Sequence, residues 1–290
     1  MKIKYIAKTN KGRVRRANED YFFAKMVLPE EYLFIVADGM GGHQAGDVAS
    51  KLGTDTFVSA YKNYRNQSKD IVESLRLAIE EANKKILELA LRDNDKRGMG
   101  TTFTAIVLKD YVGYIVHIGD SRIYIIRNNK MQKLTKDHTF VEKMLEEGKI
   151  SKSDARNHPQ KNILYMSLGV REYLTPQIIE NLQFEDGDIL LLCSDGLTNM
   201  IEDKTIKEII YSTDIDSAVN LLIDLANRNG GTDNITLEVI QFGNYRDDET
   251  EPIDIAKYDL KNKGKVKKYG YWIFLVLILI FLMLIFYLIR

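Results

Sequence analysis

The sequence predicts an α+β fold in which antiparallel sheets are covered by helices. Short runs rich in Val, Ile, Leu, Phe and Tyr alternate with turn residues, as expected for strands joined by hairpins. Longer segments with helical spacing are bunched between groups of strands and do not follow every strand. This order favours antiparallel sheets over a parallel sheet of repeated βαβ units. An uncharged apolar run near the C-terminus adds one transmembrane helix to the prediction.

Five apolar runs are predicted strands, and two short polar pairs are predicted turns. The strands are residues 32–37, 102–108, 112–118, 122–127 and 189–193. Asn128 and Asn129 separate the fourth strand from residues 131–134, which is typical of a hairpin. Lys109 and Asp110 are predicted to connect the second strand to the third in the same way.

Three segments are predicted helices. Residues 71–89 place apolar side chains at helical spacing, and Ser68 and Asp70 stand near the start, where capping residues are preferred. Residues 218–226 show the same spacing, and Gly230-Gly231 is predicted to end that helix. Residues 47–64 form the third. The polar segment 139–170 is predicted to be a flap with one short helix near residues 141–147.

The chain is predicted to contain a folded domain (1–242), a disordered polar linker with a basic end (243–269) and a transmembrane helix (270–289). The run from Tyr271 to Ile289 has no charged residue. As a helix it would span about 28 Å, close to the roughly 30 Å hydrocarbon core. Lysines at 261, 263, 265, 267 and 268 precede it, and basic flanks stay in the cytoplasm. We therefore expect a single-pass protein of the cell membrane with a cytoplasmic domain.

Composition excludes several classes of protein. The 41 acidic and 41 basic residues cancel, so no overall charge favours binding to nucleic acid. The single cysteine, Cys193, excludes an intramolecular disulfide, and its apolar surroundings predict a buried side chain instead of a reactive thiol. The glycine-rich stretch after Asp38 lacks the Gly-Lys-Ser/Thr of a Walker motif, which excludes a P-loop.

Four aspartates stand at the ends of apolar runs. Asp38 directly follows a predicted strand, Asp120 and Asp195 each follow one after a single intervening residue, and Asp233 stands just before a further predicted strand in GGTDNITLEVI. Carboxylates in such positions are partly desolvated and repel one another unless a cation lies between them. Oxygen ligands without Cys or His favour Mg2+ or Mn2+ over zinc, and Gly39 has no Cβ to keep its carbonyl from a metal. An Asp-Gly pair alone is also a common turn signal, so the prediction depends on the aspartates together.

Two further side chains are candidates for contact with a phosphate or a leaving group. Arg15 precedes the acidic pair Glu19 and Asp20, and a guanidinium can bind phosphate through two hydrogen bonds. His43 lies in the glycine-rich loop and has the chemistry of a general acid. Taken singly, an arginine such as Arg15 is more often a solvated surface charge, and a histidine such as His43 is an exposed side chain without a role.

Seven motifs in order resemble the metal-dependent protein serine/threonine phosphatases of type 2C, in their compact bacterial form. They are VRRANED (14–20), VADGMGGHQAGDVAS (36–50), GMGTTFTAIVL (98–108), HIGDSRIYI (117–125), LTKDH (134–138), LLCSDGLTN (191–199) and GGTDNIT (230–236). The resemblance covers about residues 3–241. It implies a four-layer α-β-β-α sandwich of two antiparallel sheets with a metal centre at the sheet edges.

Matched position by position, the resemblance implies a role for each candidate residue. Asp38 would bridge two Mn2+ or Mg2+ ions, and the Gly39 carbonyl would bind one of them. Asp195 and Asp233 would bind the other ion. The remaining residues would have four separate roles: Glu19 and Asp20 near the metals, Asp120 on a possible third ion, Arg15 on the substrate phosphate and His43 as leaving-group acid.

The resemblance implies hydrolysis of phosphoserine and phosphothreonine in proteins by a water activated between two metals. The implied partners are phosphorylated proteins, including a membrane serine/threonine kinase and its substrates, and the enzyme is expected to be a monomer. Two other classes stay open. One is a catalytically weak or dead relative that acts as a phosphoprotein-binding adaptor at the membrane, and the other is a phosphatase specialised for one regulatory partner.

Overall fold

The computed structural model describes residues 1–41 and 45–243, and for residues 152, 156 and 157 it describes the backbone only. His43, the predicted linker beyond Gly243 and the predicted transmembrane helix lie outside the described residues. Within the described ranges, no helix is both long enough and apolar enough to cross a membrane.

Two antiparallel sheets form the centre of the domain. The first sheet has, in spatial order, β1 (Ile3–Asn10), β11 (Ile235–Phe242), β10 (Ile189–Cys193), β7 (Arg122–Arg127) and β8 (Lys130–Lys133). The second has β2 (Asp20–Leu28), β3 (Glu31–Met40), β5 (Phe103–Lys109), β6 (Val112–Ile118) and β9 (Gln177–Gln183), and the two-residue β4 (Gly100–Thr101) pairs with the end of β3.

Helices cover the outer faces of both sheets. On the second sheet lie α1 (Gly46–Asn66) and α2 (Ile71–Arg92). On the first lie α5 (Asp195–Thr198), α6 (Asp203–Ser212) and α7 (Ile215–Arg228). Two short helices, α3 (Phe140–Glu146) and α4 (Lys152–Asn157), belong to the segment between β8 and β9, which we call the flap segment (139–170).

Three apolar clusters hold these layers together, and strand alternation explains them. Along β3, Leu33 and Ile35 pack in the cluster beneath α1 and α2, whereas Phe34 and Val36 pack between the two sheets. Along β11, Leu237 joins the cluster beneath α6 and α7. Because successive side chains of a strand point to opposite faces, a strand buried on both sides reads as a continuous apolar run. The predicted two-sheet arrangement with helices outside is therefore confirmed for the described residues.

The central strands and long helices match their predicted positions, and one turn is corrected. Asn128 and Asn129 have left-handed φ angles of 49° and 57°, as a tight hairpin requires. The turn predicted at Lys109-Asp110 lies one residue later, because Asp110 and Tyr111 carry the positive φ angles. A tyrosine in the sequence does not indicate a left-handed backbone, because a residue with a Cβ rarely adopts a positive φ angle. Asp70 caps α2 by accepting a 2.7 Å hydrogen bond from the Glu73 amide.

Within residues 1–41 and 45–243, Glu238 carries a carboxyl group that is buried between the sheets without a hydrogen-bond partner. Glu238 of β11 has no exposed surface, and neither of its side-chain oxygens has a hydrogen-bond partner. Burial raises the pKa of this carboxyl well above its usual value, and the nearby backbone of Ile35 offsets that only in part. Glu238 therefore keeps its proton to a higher pH in the folded domain than in the unfolded chain.

Replacing Glu238 with glutamine is expected to stabilise the domain more at high pH than at low pH. In the unfolded chain the carboxyl loses its proton near pH 4.5. In the folded domain it keeps that proton. Stability of the natural protein therefore falls as pH rises above that value, by about 1.4 kcal/mol per pH unit, until the folded pKa is reached. Glutamine does not titrate, so this loss disappears.

The measurement is urea unfolding of the full-length protein, E238Q and E180Q at pH 5 and pH 8. Glu180 is exposed on β9 and serves as the matched control, with little expected effect at either pH. A stability difference between E238Q and the natural protein that is equal at both pH values would contradict a protonated Glu238.

Candidate metal centre

The strand-terminal aspartates meet at one end of the sandwich. Asp38, near the end of β3, pairs with Asp20 at the start of β2. Asp195 follows β10 and begins α5, and Asp233 precedes β11 by two residues. Because antiparallel strands begin where their neighbours end, both sheets deliver carboxylates to the same edge. A cavity of about 370 Å³ at this edge is lined by Asp38, Gly39, Asp120, Asp195 and Asp233, with Arg15 and Glu19 beside them.

Asp20 lies beneath this cavity, not on its wall. It is 6% exposed, and its Oδ2 accepts a 2.8 Å hydrogen bond from the Ser194 hydroxyl. Burial raises the pKa of Asp20 to about 7, because hydrogen bonds from Ser194 and Thr236 offset only part of the desolvation and Asp195 adds repulsion. Asp20 therefore does not line the cavity, but its charge acts on that of Asp195, which does.

The carboxylates of the centre disfavour each other's charge. Burial raises the pKa of Asp38 well above its usual value, and repulsion from Asp20, Asp195 and Asp120 adds to this effect. Burial and the charge of Asp233 raise the pKa of Asp195 to about 6. The pKa of Asp120 is raised well above normal by burial and by Asp195. Such a cluster is fully charged at neutral pH only when cations offset it.

Several features fit a divalent cation. Asp20 Oδ1 and Asp195 Oδ1 are buried oxygens without a hydrogen-bond partner. A Cβ on Gly39 would lie 2.1 Å from the Gly46 carbonyl oxygen, so only glycine fits there. The described residues contain no group of three or more His, Cys, Asp or Glu side chains already arranged as a complete ligand set. Pairs of carboxylates with a carbonyl still suit Mg2+ or Mn2+, because Mg2+ keeps several water ligands.

Arg15 lies at the rim of the cavity and contacts a candidate ligand. Its Nη2 donates a 2.7 Å hydrogen bond to Asp233 Oδ2, and the Arg15 side chain is 48% exposed. This hydrogen bond and the charge of Asp233 raise the pKa of Arg15, although burial opposes the shift. In the sequence Arg15 lies shortly before Glu19 and Asp20, but its hydrogen-bond partner, Asp233, lies 218 residues later. The role of His43 is not tested, because it lies outside the described residues.

Threonines of the GMGTT motif hold the backbone of Asp38, a function that the sequence did not indicate. Thr102 Oγ1 accepts a 2.9 Å hydrogen bond from the Asp38 amide, and the Thr102 amide donates to the Asp38 carbonyl at 2.9 Å. Thr101 Oγ1 donates to the same carbonyl at 2.9 Å. The backbone of Asp38 is thus fixed by neutral groups, which leaves its carboxylate free for the cavity.

The LTKDH motif holds the turn that carries Asp120. Asp137 is 4% exposed and accepts hydrogen bonds from Arg122 at 2.6 and 3.0 Å. The next residue, His138, donates its amide to the Gly119 carbonyl at 2.7 Å, and its Nδ1 accepts from the Gly119 amide at 3.2 Å. Because Gly119 precedes Asp120 directly, His138 is a positioning residue for that carboxylate. The spacing of the motif gave no sign of this contact, which depends on tertiary structure.

Comparisons with known proteins show which family the chain belongs to. The family model described as protein phosphatase 2C matches residues 11–233. The serine/threonine phosphatase stp of Listeria welshimeri is 40% identical over 237 residues, which cover 81% of this chain and 94% of that protein.

Solved structures of serine/threonine phosphatases are similar to this chain over most of its length. The crystal structure of the Mycobacterium tuberculosis serine/threonine phosphatase PstP/Ppp is 35% identical and has a TM-score of 0.76, over 83% of this chain and 99% of that one. The catalytic domain of PstP in complex with 2 manganese ions is 34% identical with a TM-score of 0.72, over 82% and 97% of the two chains. From the matched residues, the sheet order and the aspartates at one sheet edge, we conclude that this chain belongs to the protein phosphatase 2C family.

Proposed function

We propose that this protein hydrolyses phosphoserine and phosphothreonine in other proteins and depends on Mn2+ or Mg2+. The observation that carries the proposal is the shared cavity, in which aspartates from both sheets stand beside Arg15. The relatives named serine/threonine phosphatases support the choice of substrate. The manganese complex of PstP supports the choice of metal.

The carboxylates that would hold the metals are those whose negative charges repel one another in the absence of a cation. Asp38, the Gly39 carbonyl, Asp195 and Asp233 would hold two ions, and Asp120 would contribute to a third. When bound, divalent cations lower the pKa of water towards neutrality and offset the negative charge of a phosphate. Repulsion among the carboxylates would then be replaced by attraction to the metal, which favours binding.

Arg15 would orient the substrate phosphate. One of its N–H groups is used by Asp233, and the guanidinium has further donors on its exposed side. A guanidinium in this position suits the bidentate recognition of a phosphate oxygen pair. Cys193 cannot supply a thiolate nucleophile instead, because it is fully buried and its pKa is strongly raised by burial.

We further propose that residues 270–289 anchor the enzyme in the cell membrane, where a membrane kinase and its substrates are natural partners. The described chain ends at Gly243, directly after β11, whereas Asp233 lies before that strand. An eight-residue strand is about 25 Å long, so the tail would leave the domain far from the cavity. The cavity would thereby stay open to substrates while the protein is anchored.

The rival hypothesis is a phosphoprotein-binding adaptor without turnover. An adaptor can bind a phosphate through arginine side chains alone, and it has no use for so many partly desolvated carboxylates at one point. Their mutual repulsion costs folding free energy, and binding alone does not require it. Turnover of a simple phosphate ester separates the two hypotheses.

Changing Asp38 to asparagine is expected to lower kcat/KM by at least about 100-fold, because a ligand shared by the proposed metals loses its charge. Asp55→Asn is the matched control, since Asp55 is an exposed residue of α1 paired with Lys51. The assay is Mn2+-dependent hydrolysis of p-nitrophenyl phosphate and of a phosphothreonine peptide, with circular dichroism to check folding. Activity of D38N near that of the natural protein would rule out this metal centre.

Changing Arg15 to alanine is expected to raise KM for a phosphothreonine peptide by about tenfold, since one charged hydrogen-bond donor to the phosphate is lost. Arg16→Ala is the control, because Arg16 is the exposed neighbour in sequence. Steady-state kinetics give kcat and KM separately. A lower kcat with an unchanged KM would argue against a role in phosphate binding.

Removing residues 261–290 is expected to move the enzyme from the membrane fraction to the soluble fraction with its kcat/KM retained. The apolar run and its lysine flank are both lost, and the described domain stays complete. Cell fractionation with immunoblotting, followed by the p-nitrophenyl phosphate assay, tests both points. Recovery of the full-length protein in the soluble fraction would contradict the anchor, and an inactive truncated protein would contradict an independent domain.

A further inference from the structure

A second arginine lines the catalytic cavity in addition to Arg15. Arg171 lies on the wall formed by residues 162–171, where the flap segment returns towards β9. Its side chain is exposed. Among the described residues, no carboxylate forms an ion pair with Arg171, whereas Arg15 is bonded to Asp233. The charge of Arg171 is therefore not committed within the described domain.

The backbone around Arg171 is held by a buried side chain of α2. Asn83 is 2% exposed, and its Nδ2 donates hydrogen bonds to the carbonyls of Arg171 at 2.8 Å and Glu172 at 3.2 Å. Its Oδ1 accepts a 2.8 Å hydrogen bond from the Gly169 amide. A buried side-chain amide whose donor and acceptor groups all bind the backbone of one loop holds that loop in place.

The other side of the loop is fixed as well. Leu168 and Thr101 exchange two backbone hydrogen bonds, of 2.9 and 3.1 Å. Gly169 has a φ of +83°, and a Cβ there would lie 2.3 Å from the Ile86 side chain. Arg171 is consequently presented at the cavity from an ordered backbone, which lowers the entropy lost when its side chain binds a partner.

The chemistry around Arg171 restricts what it can recognise. The floor of the cavity is acidic, and its carboxylates are short side chains that face one another. In the proposed phosphatase the target phosphate is taken by Arg15 and the metals. A guanidinium on the wall meets the part of the substrate next to the phosphorylated residue, and its planar donors match a carboxylate or a phosphate.

We propose that Arg171 determines substrate specificity by binding a second anionic group close to the target phosphoresidue. That group is an aspartate, a glutamate or another phosphorylated residue. The inference rests on the proposed phosphatase function and adds the class of protein segment that the enzyme prefers.

The experiment compares phosphothreonine peptides that differ only in their flanks. One peptide has alanine flanks. A second set has aspartate at each position one to four residues before or after the phosphothreonine, and a third has a non-hydrolysable phosphonate analogue of phosphothreonine there. Full-length enzyme in detergent is assayed with Mn2+, and the readout is kcat/KM for each flank divided by kcat/KM for alanine flanks.

For the natural protein, the best anionic flank is expected to raise kcat/KM about two- to fivefold, the range for an exposed charge pair. R171A should bring that ratio close to one, and R171E should bring it below one. R171K should keep part of the ratio, because the charge stays but the fork geometry is lost. The advantage should shrink at high salt, since exposed charge pairs are screened.

Arg76→Glu is the matched control. Arg76 is exposed on α2 beside a different cavity, so R76E makes the same charge change as R171E without reaching the catalytic cavity. Its flank ratio should equal that of the natural protein. A natural enzyme without preference for anionic flanks, or one whose preference survives in R171A and R171E, would overturn the inference. Absence of any peptide or p-nitrophenyl phosphate hydrolysis by the natural protein would instead refute the proposed function. Comparison of the aspartate and phosphonate peptides distinguishes the two sources of charge.

Discussion

Repulsion between carboxylates from two different sheets is the constraint on which this structure depends. Asp38 lies near the end of β3 and Asp120 follows β6 in one sheet, and Asp195 and Asp233 flank strands of the other. Their separation is set by the apolar layer between the sheets, which includes Phe34, Val36 and Leu192. A packed core cannot relax to separate charges at its edge. The sandwich therefore holds several carboxylates close together despite their mutual repulsion. A bound cation would offset their negative charge.

Neutral groups position the backbone at Asp38 and next to Asp120, so that this positioning does not use the two carboxylates. Thr101 and Thr102 bind the backbone of Asp38, and His138 binds the backbone next to Asp120. Asn234 joins the N-terminal segment to the start of β11 through the Glu19 amide and the Ala17 carbonyl. Had these contacts been made by the carboxylates, their lone pairs would be occupied. At Asp195 only one oxygen is used in this way: Oδ2 accepts a hydrogen bond from Asn199, and the buried Oδ1 has no partner.

The sequence predicted best what depends on burial alone. Strands buried on both faces, such as β5 and β10, are continuous apolar runs, and the aspartates at their ends are visible as interruptions. The half-exposed strands β1, β2 and β9 and the helix α6 carry mixed side chains, so they were not predicted. Contacts between distant residues were also invisible, because no local pattern links Arg15 to Asp233 or Asn83 to Arg171. The unpaired Glu238 reads as an ordinary polar position in a strand, and only the second sheet buries it.

The two arginines of the cavity illustrate how one site separates two tasks. Arg15 is bonded to Asp233, so its position is coupled to a residue that would hold a metal. The backbone carbonyl of Arg171 is held by Asn83 of α2, and among the described residues no candidate ligand forms an ion pair with the Arg171 side chain. A change at Arg171 can therefore alter contacts with the substrate without shifting the carboxylates, whereas a change at Arg15 affects both. In a cavity with an acidic floor, specificity for anionic segments has to come from the wall, and the wall at residue 171 is the part whose charge is not already balanced by a neighbour among the described residues.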